Sequence, residues 1–177
     1  KEGISIFLLD KNVSGLNIQD YPTVDGFKAA EIHLNNVKLP KENLISIENK
    51  SYKVIESAVN KTLVAIAAES SGIMEKMYEM TLEYIKTRKQ FGVAIGKFQA
   101  IQHRAVEMLI LSDEMNSLSS MAALKGIDNI AALKSVYASK IHIGTGGRTL
   151  AEESIQMHGG MGVTEEMEIG QYFKRLI

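Results

Sequence analysis

From Ser51 onward the chain contains no proline, and its apolar residues recur at steps of three and four. Val54, Ala58, Ala65, Ala68, Ile73, Met77, Met80 and Tyr84 trace one such stripe, at three, four or near sums of these. That period belongs to a helix with one buried face rather than to a strand. The spacing predicts a first helix over 51–87, about 55 Å long at roughly 1.5 Å per residue. A helix of that length needs partners along its stripe, so a bundle or a coiled coil follows. Ser51 is the expected N-cap, although no Glu or Gln stands three residues on.

Gly92 and Gly96 then punctuate a loop. A second helix is expected over 97–124, with Ile101, Met108, Leu111, Met115, Leu118 and Ala122 inside. A third is expected over 128–158, capped by Asp128 or Asn129. Gly144, Gly146 and Gly147 fall in its middle, and each costs about 1 kcal/mol there relative to alanine. They imply close helix packing or a break near Gly146. Gly159-Gly160-Met161-Gly162 ends this helix, and a shorter helical piece opens at Thr164 and runs to Leu176. Long helices with short connections make a mainly α chain, a four-helix up-down bundle.

The first 48 or so residues read differently, and they hold both prolines, Pro22 and Pro40. Ile4 to Leu9 is a short apolar run ended by Asp10-Lys11-Asn12, which predicts a strand. Gly15 to Ile18 starts another. Ala29 to Leu34 alternates, with Ile32 and Leu34 on one face and Glu31 and His33 on the other. The segment reads as antiparallel strands, too small for a comfortable sheet domain alone. The expected domains are therefore 1–48, the tail of a β-domain, and 49–177, a helical bundle. The chain starts Lys1-Glu2-Gly3 and both ends look cut, so a longer parent is expected.

Composition excludes several classes. Lys and Arg number 20 against 21 Asp and Glu, which gives no footprint for nucleic acid. The absence of cysteine rules out disulfides, thiolate chemistry and Cys-ligated zinc. No apolar run approaches the roughly 20 residues of a membrane span, and no signal-peptide pattern opens the chain. The expected setting is cytoplasmic, with neither nucleic acid nor membrane as partner.

His33, His103, His142 and His158 show no zinc spacing, so no metal site is expected. Two clusters carry more. Tyr84 to Gln99 places Arg88, one of four arginines, beside Phe91, Gly92 and Gly96. Cations in the last turn of a helix complement its dipole. Arg88 is equally suited to grip a phosphate with its planar fork. Gln156-Met157-His158-Gly159-Gly160-Met161-Gly162 has the same two sides. Glycine terminates helices by adopting positive φ, and bare glycine backbone also lets a ligand lie close.

Both clusters resemble motifs of the flavin-dependent acyl-CoA dehydrogenase family. Tyr84, Arg88, Phe91, Gly92 and Gln99 match a motif that joins two helices of the family's C-terminal bundle. Gln156, Gly159, Gly160 and Gly162 match a second, and Lys140 sits where the family keeps a helix lysine. Gly26 to Ile45 looks like the exit of the family's middle β-domain. The resemblance implies an FAD shared between subunits. Arg88 would contact its pyrophosphate and Phe91 would pack near adenine. Gln99, Gln156, Gly159 and Gly160 would hold adenosine and phosphate groups. It implies α,β-dehydrogenation of an acyl-CoA substrate, with electrons passing to an electron-transfer flavoprotein or similar acceptor. It also implies a homo-oligomer or a hetero-oligomer with a related subunit.

No catalytic residue is assigned within the chain. The family's commonest catalytic glutamate would fall beyond Ile177. The place used by a minority of members holds Thr62, followed by Leu63 where arginine is common. Glu168 to Leu176 departs from the usual Arg-Asp-Ala stretch. It resembles divergent subunits such as the small subunit of pimeloyl-CoA dehydrogenase, so a non-catalytic assembly subunit is the alternative expectation.

Overall fold

The computed structural model describes residues 3–127 and 129–177, and it divides into two compact units, Lys1–Val59 and Asn60–Ile177. The first unit holds an antiparallel hairpin of β1 (Leu16–Pro22) and β2 (Lys28–Leu34). Ile18 pairs with Ile32 and Leu16 with Leu34 across the ladder. Pro22 ends β1, where a missing N–H does least harm. Ile18, Ile32 and Leu34 remain exposed, so one hairpin face is apolar without cover from its own unit.

The strand expected at Ile4 to Leu9 does not form. Ile4 and Phe7 make only single bridges, to Lys50 and Leu44. The backbone bonds instead run to an irregular stretch: Leu8 N–H to the Asn43 carbonyl, and Ile45 N–H to that of Ile6. A turn of 3-10 helix at Lys41–Asn43 interrupts the partner, so no ladder propagates.

α1 (Tyr52–Thr87) runs 36 residues without a break. In the second unit it packs with α2 (Gln99–Lys125), α3 (Ile130–His142), α4 (Arg148–His158) and α5 (Ile169–Leu176). α3 and α4 form one helical rod, so the described residues make a four-helix arrangement. α2 buries Ala105, Met108, Ser112, Met115, Ser119 and Ala122, and α1 buries Ala67, Ser70, Met74, Met77 and Thr81. Both lists alternate steps of three and four, the pattern of a helix with one buried face. Unbranched methionines fill the gaps left by alanine and serine. Met74, Met77, Met108 and Met115 are all essentially fully buried.

The buried stripe on α1 is not the one the apolar spacing predicts. Ile73, Met77, Met80 and Tyr84 lie in or beside the core, but Val54, Ala58, Ala65 and Ala68 are exposed. Hydroxyl residues occupy seam positions that an apolar pattern passes over. Thr81 is satisfied within its own helix, its Oγ1 donating to the Met77 carbonyl at 2.7 Å.

Asn129 caps α3, its side chain accepting from Ala132 N–H at 2.9 Å. The other expected cap, Asp128, lies outside the described residues. The three mid-helix glycines fall in one π-helical turn, Ile143–Gly147. A β-carbon on Gly146 would stand 2.6 Å from Cε1 of His142, so the imidazole occupies the space a side chain would need. His142 Nε2 reaches the Leu111 carbonyl of α2 at 3.0 Å; a carbonyl only accepts, so this nitrogen carries the proton. At the far end Arg175 of α5 grips Glu69 of α1 in a fork, at 2.6 and 3.0 Å.

Two alanine substitutions separate helix propensity from packing. Gly144 has open space around its missing β-carbon. Gly144→Ala is expected to stabilise by about 0.5–1 kcal/mol. Gly146→Ala gains the same propensity but forces His142 off its site and its bond to Leu111, an overpacking cost of about 1–3 kcal/mol. Thermal melts should therefore move in opposite directions, and a rise in Tm for both would refute the packing argument.

Candidate functional site

α1 ends at Thr87, and the chain turns back through β3 (Lys89–Gln90) and β4 (Val93–Ala94). Gln90 pairs with Val93, leaving Phe91 and Gly92 as a two-residue loop. Both have positive φ, 53° and 79°. That is the handedness of a type I′ turn, whose first position favours Asn, Asp or Gly. A phenylalanine there costs roughly 1–2 kcal/mol. Phe91 is also 91% exposed, meeting Phe98 edge-on at 6.1 Å. Strain and exposure together place this aromatic outside the core. Gly96 lets the loop approach α1, since a β-carbon there would stand 2.9 Å from the Ile85 carbonyl.

The second cluster ends α4. His158 is buried, and its Nδ1 donates to the Ser154 carbonyl at 2.8 Å. Its ring stacks on Tyr84 of α1 with centroids 4.3 Å apart. The Tyr84 hydroxyl donates to the His158 carbonyl at 3.3 Å. Burial pushes the imidazole below its ordinary pKa, outweighing the opposing Ser154 bond. His158 is thus neutral at neutral pH.

The glycines that follow differ in purpose. Gly159 has φ of 61° and closes the helix. Gly162 is needed for packing, because a β-carbon would meet the Ile155 carbonyl at 2.8 Å. Gly160 has neither constraint: nothing lies within 4 Å of where its β-carbon would be.

A cleft of about 420 Å³ joins the two clusters. Tyr84, Arg88, Gln90 and Ile95 line one side, and Met157, His158, Gly159, Gly160 and Met161 the other. With His158 neutral, Arg88 is the one charged group in that lining. No carboxylate among the described residues pairs with it. The cleft therefore offers a cation, a bare backbone turn and apolar walls. Of the residues singled out in the sequence, Arg88, Gly159 and Gly160 meet here. Phe91 stands at the hairpin tip, Gln99 begins α2, and Gln156 lies in the last turn of α4; all three are exposed and outside the lining. Gln90, Ile95 and Met161 are lining residues that sequence reasoning missed. Nothing in their type marks them, and only the hairpin register and the turn after α4 bring them in. No group of three or more potential metal-binding side chains occurs among the described residues, and no described helix is long and apolar enough to cross a membrane.

The family model for the acyl-CoA dehydrogenase C-terminal domain matches residues 49–176. The chain belongs to the acyl-CoA dehydrogenase family. It is 28% identical to bovine short/branched chain specific acyl-CoA dehydrogenase, over 98% of this chain and 41% of that protein. It is 26% identical to CarC, a subunit of the caffeyl-CoA reductase-Etf complex of Acetobacterium woodii, over 97% of this chain and 46% of CarC. The solved structure of PigA with FAD and proline superposes with a TM-score of 0.88 at 27% identity, over 98% of this chain and 46% of that one. The chain spans less than half the length of the curated relatives it matches. The up-down bundle and the β hairpin before it are thus the fold of the acyl-CoA dehydrogenase C-terminal region.

Two measurements probe these two clusters. Phe91→Asn gives the turn its favoured residue, so stability should rise by about 1 kcal/mol, readable as a higher Tm. A fall would mean that Phe91 contributes to packing instead. The second concerns pH. An unfolded histidine takes a proton near about pH 6.5, whereas buried His158 resists it. Between its lowered pKa and that value the unfolded chain binds more protons. Stability is then fully present above the window and is lost as pH falls through it. Melts from about pH 7.5 to about pH 5.5 should drop less steeply for His158→Phe than for wild type, and equal slopes would exclude His158 as the source.

Proposed function

We propose that the cleft between Arg88 and the Gly159–Gly160 turn receives the pyrophosphate of FAD in an acyl-CoA dehydrogenase. The single observation carrying this reading is the pairing of an unneutralised Arg88 with Gly160, a glycine that no internal contact requires. An arginine fork suits two phosphate oxygens, and a bare turn admits them to the backbone. Phe91, strained and exposed, is set to pack on the adenine. Gln99 and Gln156, both on the surface, are suited to hydrogen-bond the adenosine portion. When bound, FAD supplies the two-electron acceptance that α,β-dehydrogenation of an acyl-CoA thioester needs. This chain's own groups bind and orient.

Thr62 and Leu63 occupy the α1 places where part of the family keeps a base and an arginine. Neither side chain ionises in the working pH range, so we assign no catalytic base within the chain. The departure of Glu168 to Leu176 from the usual Arg-Asp-Ala stretch supports a second reading, an assembly subunit of a hetero-oligomeric acyl-CoA dehydrogenase. Association of either kind is supported by the solvent face of α2. Val106, Ile110 and Leu124 there are 55%, 52% and 88% exposed. On either reading 1–48 is the end of the family's middle β-domain, 49–177 belongs to its C-terminal bundle, and an electron-transfer flavoprotein or similar acceptor is the partner. A place in fatty acid metabolism is supported by family membership.

The complete protein should show the oxidised flavin spectrum and form enoyl-CoA from acyl-CoA substrates. A colourless protein that stays inert with added FAD would overturn the first reading. Activity without any related partner chain would overturn the second. Arg88→Ala should weaken FAD retention about tenfold or more, because a charge-assisted phosphate contact is lost; unchanged affinity removes Arg88 from the site.

A further inference from the structure

The Tyr84–His158 contact has no part in gripping a phosphate, yet it spans the cleft floor between the two motifs. Tyr84 lies one helical turn before Arg88, and the Arg88 N–H is bonded to the Tyr84 carbonyl at 2.8 Å. The two residues therefore move as one turn of helix. On the other side, His158 immediately precedes the Gly159–Gly160 turn. Three contacts hold it: the Ser154 carbonyl at 2.8 Å, the Tyr84 ring at 4.3 Å, and the Tyr84 hydroxyl at 3.3 Å. The last of these falls on the carbonyl of the peptide that joins His158 to Gly159. It thereby orients the plane on which the glycine turn is built.

We infer that Tyr84 and His158 are a positioning pair that sets the spacing between Arg88 and the Gly159–Gly160 backbone, so that one diphosphate meets both. The inference rests on the cofactor reading above. Stacked rings define a separation more sharply than aliphatic contact does, because their overlap fixes distance and tilt together. Binding that depends on two groups meeting one ligand is sensitive to such spacing.

The test is a double-mutant cycle on the complete protein in its native assembly, with FAD and ADP as probes and Tm measured on each sample. Tyr84→Phe keeps the stack and loses the hydroxyl, and should weaken binding about threefold. Tyr84→Leu loses both and should weaken it about tenfold. In an Arg88→Ala background, Tyr84→Leu should have little further effect, because the spacing no longer serves a second contact. A residue that merely packs would lower Tm while weakening binding equally with and without Arg88. Additive effects, or wild-type affinity in Tyr84→Leu, would overturn the positioning role while leaving FAD binding intact. A wild-type protein that retains neither FAD nor ADP would overturn the cofactor reading, and the pair with it.

Discussion

The seam of methionine and alanine that α1 and α2 contribute to one buried core, shared with α4 and α5, is the contact on which the second unit depends. Methionine fills whatever irregular space the smaller residues leave. Everything at the candidate site is referenced to that seam. The last turn of α1 carries Tyr84 and Arg88, and the hairpin after it must fold within reach of Ile85. Gly96 makes that possible by lying almost against the Ile85 carbonyl. A shift of the seam would carry Arg88 away from the turn after α4, with no change in any cleft residue.

Helix existence was legible in the sequence, because proline is absent after Ser51 and the apolar period persists over tens of residues. α1 and α2 lie within a residue or two of their expected spans. Which face is buried was less legible. Ser70, Thr81, Ser112 and Ser119 count as polar in a pattern, but in a helix their hydroxyls can bond to the preceding turn and so enter a core. The run at Ile4 to Leu9 failed for a different reason. Strand propensity is a property of a segment, whereas a ladder needs a regular partner, and residues 41–51 are irregular.

At the site, residue type pointed to Arg88 and to the glycines. It could not say that Gly160 is bare for want of any neighbour while Gly162 is bare because a carbonyl crowds it. Nor could it distinguish His158 as a helix-end residue from His158 as the partner of Tyr84. Those facts come from contacts between α1 and α4, which are far apart along the chain. Phe91 is the intermediate case. Its place in the motif marked it, but the left-handed backbone that makes it costly emerges only from the register of β3 and β4.

The π-helical turn at Ile143–Gly147 acts on the site from a distance. Such a turn inserts one residue relative to a regular helix, and each residue of an α-helix advances the face by about 100°. The surplus residue therefore dials the whole of α4 about its own axis. Met157 and His158 face inward, and Gly160 opens onto the cleft, in a phase set some ten residues earlier. Loss of a single glycine from that turn would restore a uniform helix and aim His158 at a different neighbour. Chain length within this helix is thus as much a determinant of the cleft as the identity of any residue lining it.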